Sequence, residues 1–184
     1  PPSNLSFCNV SVSRCVFDMS RGRSIFMHLE SGMEKVPVSF AVKDCSFLHN
    51  ALNKDGSKTD ELGVVVITGN ALVESIVVTG CTFQGNNGSA VAIYDVTGNI
   101  QFENCTFTQN NADFGAGLGI VQSQLQDGSH GTISVKNSTF INNFAIAGAA
   151  IYYVNGDYSE IGQITLTDVV IKGSHCSSCD NYTR

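Results

Sequence analysis

The sequence predicts an all-β fold, a right-handed parallel β-helix of about six coils, from three observations. A block returns along the chain, as "GCTFQGNNGSAVAI" (80–93), "NCTFTQNNADFGAGLGI" (104–120) and "NSTFINNFAIAGAAI" (137–151). Within each block apolar residues alternate with Ser, Thr, Lys or Gln, the period of a strand with one buried face. The distance between successive copies varies from 24 to 36 residues, and the variation falls in loops.

Aligned on the small residue before each Phe, the copies centre on Cys15, Cys45, Cys81, Cys105, Ser138 and Val169. Five residues upstream stand Val10, Phe40, Ile76, Ile100, Ile133 and Ile164; three upstream stand Val12, Val42, Val78, Phe102, Val135 and Leu166. These predict the first strand of each coil. Just before the anchor come Arg14, Asp44, Gly80, Asn104, Asn137 and Asp168, mostly turn formers. Two residues after it stand Phe17, Phe47, Phe83, Phe107, Phe140 and Ile171; five after it, Ser20, Asn50, Asn86, Asn110, Asn143 and Ser174. The chain then turns into a second strand, predicted at 24–29, 63–67, 89–93, 116–120 and 148–153.

Strands this short, joined by turns too short for crossover helices, fit a coil in which each turn stacks on the last at about 4.8 Å. The Ile/Val, Cys and Phe positions become inward columns, and the Asn column becomes an amide ladder at a bend. A β-sandwich would explain the alternation but not Phe-x-x-Asn in four strands. The 184 residues suffice for one domain, 1–184, with a real core. Only 14% are charged, against about 25% in ordinary domains, which suits a surface of small polar side chains. A net charge of −6 with no basic patch argues against nucleic acid as a partner. No apolar run approaches the ~20 residues of a membrane helix, and the "PPSNLSF" start carries no signal-peptide pattern.

"FLHN" (47–50), "FQGN" (83–86), "FTQN" (107–110) and "FINN" (140–143) resemble the FxxN motif of polymorphic outer-membrane-protein repeats. "GSAV" (88–91), "GAGL" (115–118) and "GAAI" (148–151) look like its GGA(I/L/V) partner with the second Gly replaced. The resemblance covers about 38–174, and the first coil departs from it at Ser20. It implies a coil of the pectin-lyase-like superfold, seen in bacterial passenger domains and eukaryotic surface proteins, and a surface-displayed adhesive or structural rod. It implies no single function.

Pectin-active β-helix enzymes cluster carboxylates on one outer sheet. The outward positions here are Ser11, Ser13, Ala41, Lys43, Val77, Thr79, Gln101, Glu103, Ser134, Lys136, Thr165 and Thr167, with a single carboxylate. The other acids, Asp55, Asp60, Glu61, Asp95, Asp113, Asp127, Asp157 and Glu160, are expected in loops. "NKDGSKTDE" (53–61) lacks the sixth-position Gly and twelfth-position Glu of a calcium loop, having Lys58 and Val64, and reads as a solvated loop. An outward column of Ser46, Thr82, Thr106 and Thr139 lacks the second Thr column of an ice-binding face, since Leu48, Gln84 and Ile141 intervene. No metal or other cofactor is expected.

Seven cysteines are present. Cys15, Cys45, Cys81 and Cys105 share an inward column whose parallel Cβ vectors aim the sulfurs poorly for bridging, so a buried thiol ladder filling space is expected. Cys8 lies near the start of the stack, placed to pair outside it. His175-Cys176-x-x-Cys179 is a partial zinc motif without a second Cys pair, and a disulfide between Cys176 and Cys179 is the expectation. N-x-S/T sequons occur at Asn4, Asn9, Asn87, Asn104, Asn137 and Asn181, making N-linked glycans candidate partners. Sequons, a disulfide and low charge together favour an extracellular eukaryotic chain, with a bacterial passenger domain as alternative.

The expected role is a non-enzymatic structural or adhesive segment with cell-surface or carbohydrate partners. A carbohydrate-active β-helix enzyme is the alternative. No polar or helical cap is evident at 4–12 or 163–184, so the chain is expected to be part of a longer solenoid or to stack end to end with itself, forming a filament.

Overall fold

The computed structural model describes residues 8–29, 36–50, 63–122, 131–155 and 163–178. All its strand pairs are parallel, and each joins a coil to the next. Four rows of strands wrap the core.

The first row comprises Cys8–Ser13, Val36–Lys43, the ends of the long strands Gly63–Thr79 and Ser89–Glu103, then Thr132–Lys136 and Gln163–Thr167. The second is a six-stranded sheet of three-residue strands, Val16–Asp18, Ser46–Leu48, Thr82–Gln84, Thr106–Thr108, Thr139–Ile141 and Val170–Lys172. The third holds Asn111–Phe114, Phe144–Ala147 and His175–Cys176. The fourth holds Ile25–Leu29, the starts of the two long strands, Leu118–Gln122 and Ile151–Asn155.

The expected columns are in register. Val10, Phe40, Ile76, Ile100, Ile133 and Ile164 align along the first row, as do Phe17, Phe47, Phe83, Phe107, Phe140 and Ile171 along the second. Phe47, Phe83, Phe107 and Phe140 are fully buried. Their rings stack nearly parallel, with centroids 4.6–5.1 Å apart. The ring spacing follows the rung spacing, so one residue type satisfies every level.

Two corners in each coil use left-handed backbone. The first holds Arg14, Asp44, Gly80, Asn104, Asn137 and Asp168, with φ between 47° and 63°. The second holds Met19, His49, Gly85, Gln109, Asn142 and Gly173, with φ between 51° and 64°. A turn was expected at both, the second at the Asn column, but not the left-handed residue just before each Asn. At each corner the N–H donates to the carbonyl one coil on, as Arg14 to Lys43 and His49 to Gln84, both at 2.9 Å. Interstrand bonds before and after the corner hold a conformation that Met19, His49 and Gln109 would not choose alone.

Where the two long strands turn from the fourth row into the first, Gly69 and Gly98 adopt φ of 148° and 147°. A Cβ on Gly98 would lie 2.5 Å from the Val73 carbonyl oxygen, so only glycine fits there. Two predicted second strands start later than expected. Leu118–Gln122 and Ile151–Asn155 replace 116–120 and 148–153, because Gly115 and Gly148 form tight corners at φ 57° and 63°.

Candidate functional site

The best-defined polar structure is internal. Asn50, Asn86, Asn110 and Asn143 are buried, each at 1% exposure or less. The Nδ2 group of Asn50 donates to Asn86 Oδ1 (2.9 Å), that of Asn86 to Asn110 Oδ1 (2.8 Å), and that of Asn110 to Asn143 Oδ1 (3.1 Å). Each Nδ2 also donates to the carbonyl of the Phe one coil back, namely Phe17, Phe47, Phe83 or Phe107. Each Oδ1 accepts the preceding Asn or Ser backbone N–H, from Ser20 through Asn110. A buried amide in this column is therefore saturated at both ends, and the ladder has one polarity along the stack.

The thiol column does more than fill space. Cys45, Cys81 and Cys105 are buried and unbridged. Each donates weakly to the carbonyl two residues back, at 3.1 Å to Lys43, 3.3 Å to Thr79 and 3.3 Å to Glu103. Ser138 makes the same bond to Lys136 at 2.8 Å. From Cys15 to Ser138 the column thus holds a small side chain with a donor, which explains why Ser substitutes for Cys there; Val169 in the last coil departs from it. Cys15 is half-buried, and Cys8 is exposed and unbridged rather than paired outside the stack. Cys176 is disulfide-bonded, while Cys179 lies outside the described residues.

Burial pushes the Cys81 thiol up to about 12 and the Cys105 thiol up to about 11. Both stay protonated in the folded chain while their unfolded counterparts ionise near 9. The folded state then holds more protons, so the stabilisation is complete below about pH 9 and is lost as pH rises through 9 toward 11–12. Denaturant titrations at stepped pH should show this alkaline decline, reduced in a Cys81→Ala/Cys105→Ala double variant. With a thiol reagent at neutral pH, Cys8 should label at once and Cys45, Cys81 and Cys105 only on unfolding. Fast labelling of all of them in the native protein would contradict the inward column.

Part of the described outer surface carries neutral polar groups bonded to one another. On the first row Ser75 Oγ donates to Ser39 Oγ (3.1 Å) and Gln101 Nε2 donates to Asn99 Oδ1 (3.0 Å). Ser46, Thr82, Thr106 and Thr139 form the expected outward column of the second row. Asp95 and Asp113, expected in loops, lie within strands Ser89–Glu103 and Asn111–Phe114. Asp95 nevertheless sits at an irregularity, with φ 56° and the register shifting between Thr68 and Ala71 on the neighbouring strand. Asp55, Asp60, Glu61, Asp127, Asp157, Glu160 and the 53–61 segment lie outside the described residues. No group of three or more His, Cys, Asp or Glu suited to a metal occurs among the described residues. No helix there is long and apolar enough to cross a membrane.

Of the sequon asparagines, Asn9, Asn87, Asn104 and Asn137 are exposed, and Asn4 and Asn181 lie outside the described residues. Asn104 and Asn137 occupy the first left-handed corner on consecutive coils, with side chains directed away from the core. Aromatic side chains mark the third and fourth rows. Phe114 stands against Tyr152 with ring centroids 5.3 Å apart, and Phe144 against His175 at 5.6 Å. Phe114, Phe144 and Ile146 remain between 43% and 49% exposed. Sequence patterning missed Phe114, Phe144 and Ile146 as surface groups because they lie on a row of strands that no alternation had marked.

The family model described as "Right handed beta helix region" matches residues 10–182, nearly the whole stack seen here. The chain belongs to that right-handed β-helix family. No curated protein and no solved structure matches it. The family fixes the hand of the coil and accounts for the parallel rows, but the narrower likeness to polymorphic outer-membrane-protein repeats rests on the motifs alone. A right-handed β-helix carries enzymes and inert rods alike, so its function must come from the surface chemistry.

Proposed function

We propose that this chain is a non-enzymatic, extracellular structural or adhesive rod of the kind that the FxxN-type repeats imply, and a glycoprotein, as its sequons suggest. The observation that carries this reading is the unbroken run of Phe and Asn columns through successive coils. Nearly every coil spends its distinctive residues on matching its neighbours, and its outward positions are mainly small hydroxyl and amide groups. That arrangement favours a stiff shaft. The exposed sequons at Asn9, Asn87, Asn104 and Asn137 support an extracellular setting in which sugars project from the corners. The exposed Phe114, Phe144 and Ile146 on the third row support the adhesive part, since apolar groups left in water are available for contact.

Two measurements on natural-source material test this together. Peptide mapping should find sugar on Asn87, Asn104 or Asn137, and all three bare would favour the bacterial passenger reading. Incubation with a panel of uronic-acid and neutral polysaccharides should release no new reducing ends or unsaturated uronates. Product formation would replace the rod with a carbohydrate-active enzyme.

A further inference from the structure

We infer that the exposed ring of Phe144 is the seat of an N-linked glycan carried by Asn87 of the same chain, whose N-acetylglucosamine stem lies against the ring. The inference rests on the glycoprotein reading and names the contact that one glycan makes. The two residues share an outward column on the third row. Asn87 bridges to Asn111 in parallel register, and Asn111 pairs with Phe144. Asn87, Asn111 and Phe144 are exposed, while the residues that follow Asn87 and Phe144, Gly88 and Ala145, are buried. The sequon and the ring therefore leave the same face, two rungs of about 4.8 Å apart. The paired N-acetylglucosamines that begin an N-linked chain span that interval when they lie along the column.

The ring has one covered face and one open face. Phe144 is 43% exposed and stacks on His175 at 5.6 Å, on the side away from Asn111 and Asn87. Its other face looks up the column across the short side chain of Asn111. An aromatic face is the negative pole of the ring quadrupole, and one face of an N-acetylglucosamine ring presents an apolar layer of C–H groups to it. Asn111, standing between them, offers an amide donor and acceptor to the hydroxyls and the N-acetyl group. Asn87, Asn111 and Phe144 are uncharged, which suits a neutral sugar.

The other described sequons have no such seat. The corner column of Asn104 and Asn137 continues through Gly80, Asp44 and Arg14 on one side and Asp168 on the other. The column of Asn9 continues through Ser39, Ser75, Asn99, Thr132 and Gln163. Neither contains an aromatic side chain. The sequon hydroxyl of Ser89 is 2% exposed and donates to Phe114 C=O (2.7 Å), so the sugar joins Asn87 before this coil closes and the ring packs under it as the coil forms.

Chains secreted from eukaryotic cells test the contact, with occupancy of each sequon read by peptide mapping. Proton NMR should show the stem sugars on Asn87 shifted upfield by the ring current of Phe144. Phe144→Ala should return them to the positions of a free glycan, and Phe144→Tyr should keep the shift. Asn87→Gln should lower Tm by about 2–4 °C in the parent chain and by much less in Phe144→Ala. Circular dichroism should confirm that each variant folds. Unshifted stem protons on an occupied Asn87, or a shift that survives Phe144→Ala, would overturn the contact. So would perturbation of Phe144 on adding a free N-acetylglucosamine oligomer to the glycosylated chain, because the seat would then be empty. Asn87 bare beside an occupied Asn104 or Asn137 would overturn the contact and leave the glycoprotein reading standing, whereas all three bare would remove both.

Discussion

Phe107→Ala should destabilise the chain by about 3–5 kcal/mol, and Thr106→Ala by under ~0.5 kcal/mol. The two side chains leave the same three-residue strand in opposite directions. Phe107 is fully buried, with Phe83 and Phe140 rings on either side at 5.1 and 4.6 Å. Truncation leaves a void whose walls cannot close. Collapse would require adjacent rungs to approach, and the bonds from Thr106 N–H to Cys81 C=O and from Thr139 N–H to Cys105 C=O, both 2.9 Å, fix their spacing. The cost should therefore fall near the top of the range for aromatic truncations. Thr106 sits half-exposed between Thr82 and Thr139 and loses only a methyl and a hydroxyl that water can replace. Because each coil leans chiefly on its neighbours, Phe107→Ala should also broaden the unfolding transition by uncoupling the two halves of the stack. Denaturant midpoints and slopes for the two variants measure both effects. Equal midpoint shifts would mean that the strand is not divided into an inward Phe107 and an outward Thr106.

The columns could be read in the sequence because stacking makes each coil copy its neighbour. Phe47, Phe83, Phe107 and Phe140 recur since a ring at 4.6–5.1 Å packs best on another ring. Asn recurs at the bend since its amide offers an acceptor on one side and two donors on the other, one for the next Asn and one for the Phe carbonyl. The left-handed residue at the second corner was less legible. Gly85, Asn142 and Gly173 suit it, but at Met19, His49 and Gln109 the φ of 51–55° is held by forward hydrogen bonds from their own N–H groups, which no local pattern encodes. The role of Ser138 became plain only when its bond to Lys136 matched those of the thiols. The candidate surface was least legible. Sequons mark Asn87, Asn104 and Asn137, but the aromatic patch joins Phe114 to Tyr152 from different coils, a neighbourhood set by three-dimensional stacking rather than spacing.

Asn110→Asp should be a severely damaging isosteric change, at about 3–5 kcal/mol near neutral pH. Asn110 is 1% exposed, and its Nδ2 faces two acceptors, Phe83 C=O and Asn143 Oδ1, both 3.1 Å away. A carboxylate keeps the other half of the site, accepting from Asn86 N–H and Asn86 Nδ2 at 3.1 and 2.8 Å. Toward Phe83 and Asn143, however, it sets oxygen against oxygen and buries a charge without a counterion. The fold resists ionisation, so the folded pKa of the new acid rises above the unfolded value of about 3.9. The sign follows from proton uptake. The folded variant holds more protons than the unfolded one, so its deficit is smallest below about pH 4 and grows as pH rises toward the folded pKa. Protonation at low pH also restores one donor. Asn110→Ser provides the control, because Ser20 and Ser174 already serve at the column's ends. It keeps an acceptor for Asn86 N–H, leaves buried groups unpaired at about 1–3 kcal/mol each, and introduces no new titration. Stability measured for both variants from pH 3 to pH 8 separates the charge from the lost bonds. A pH-independent deficit for Asn110→Asp, equal to that of Asn110→Ser, would mean that water reaches position 110 and that the amide ladder is not sealed inside the coil.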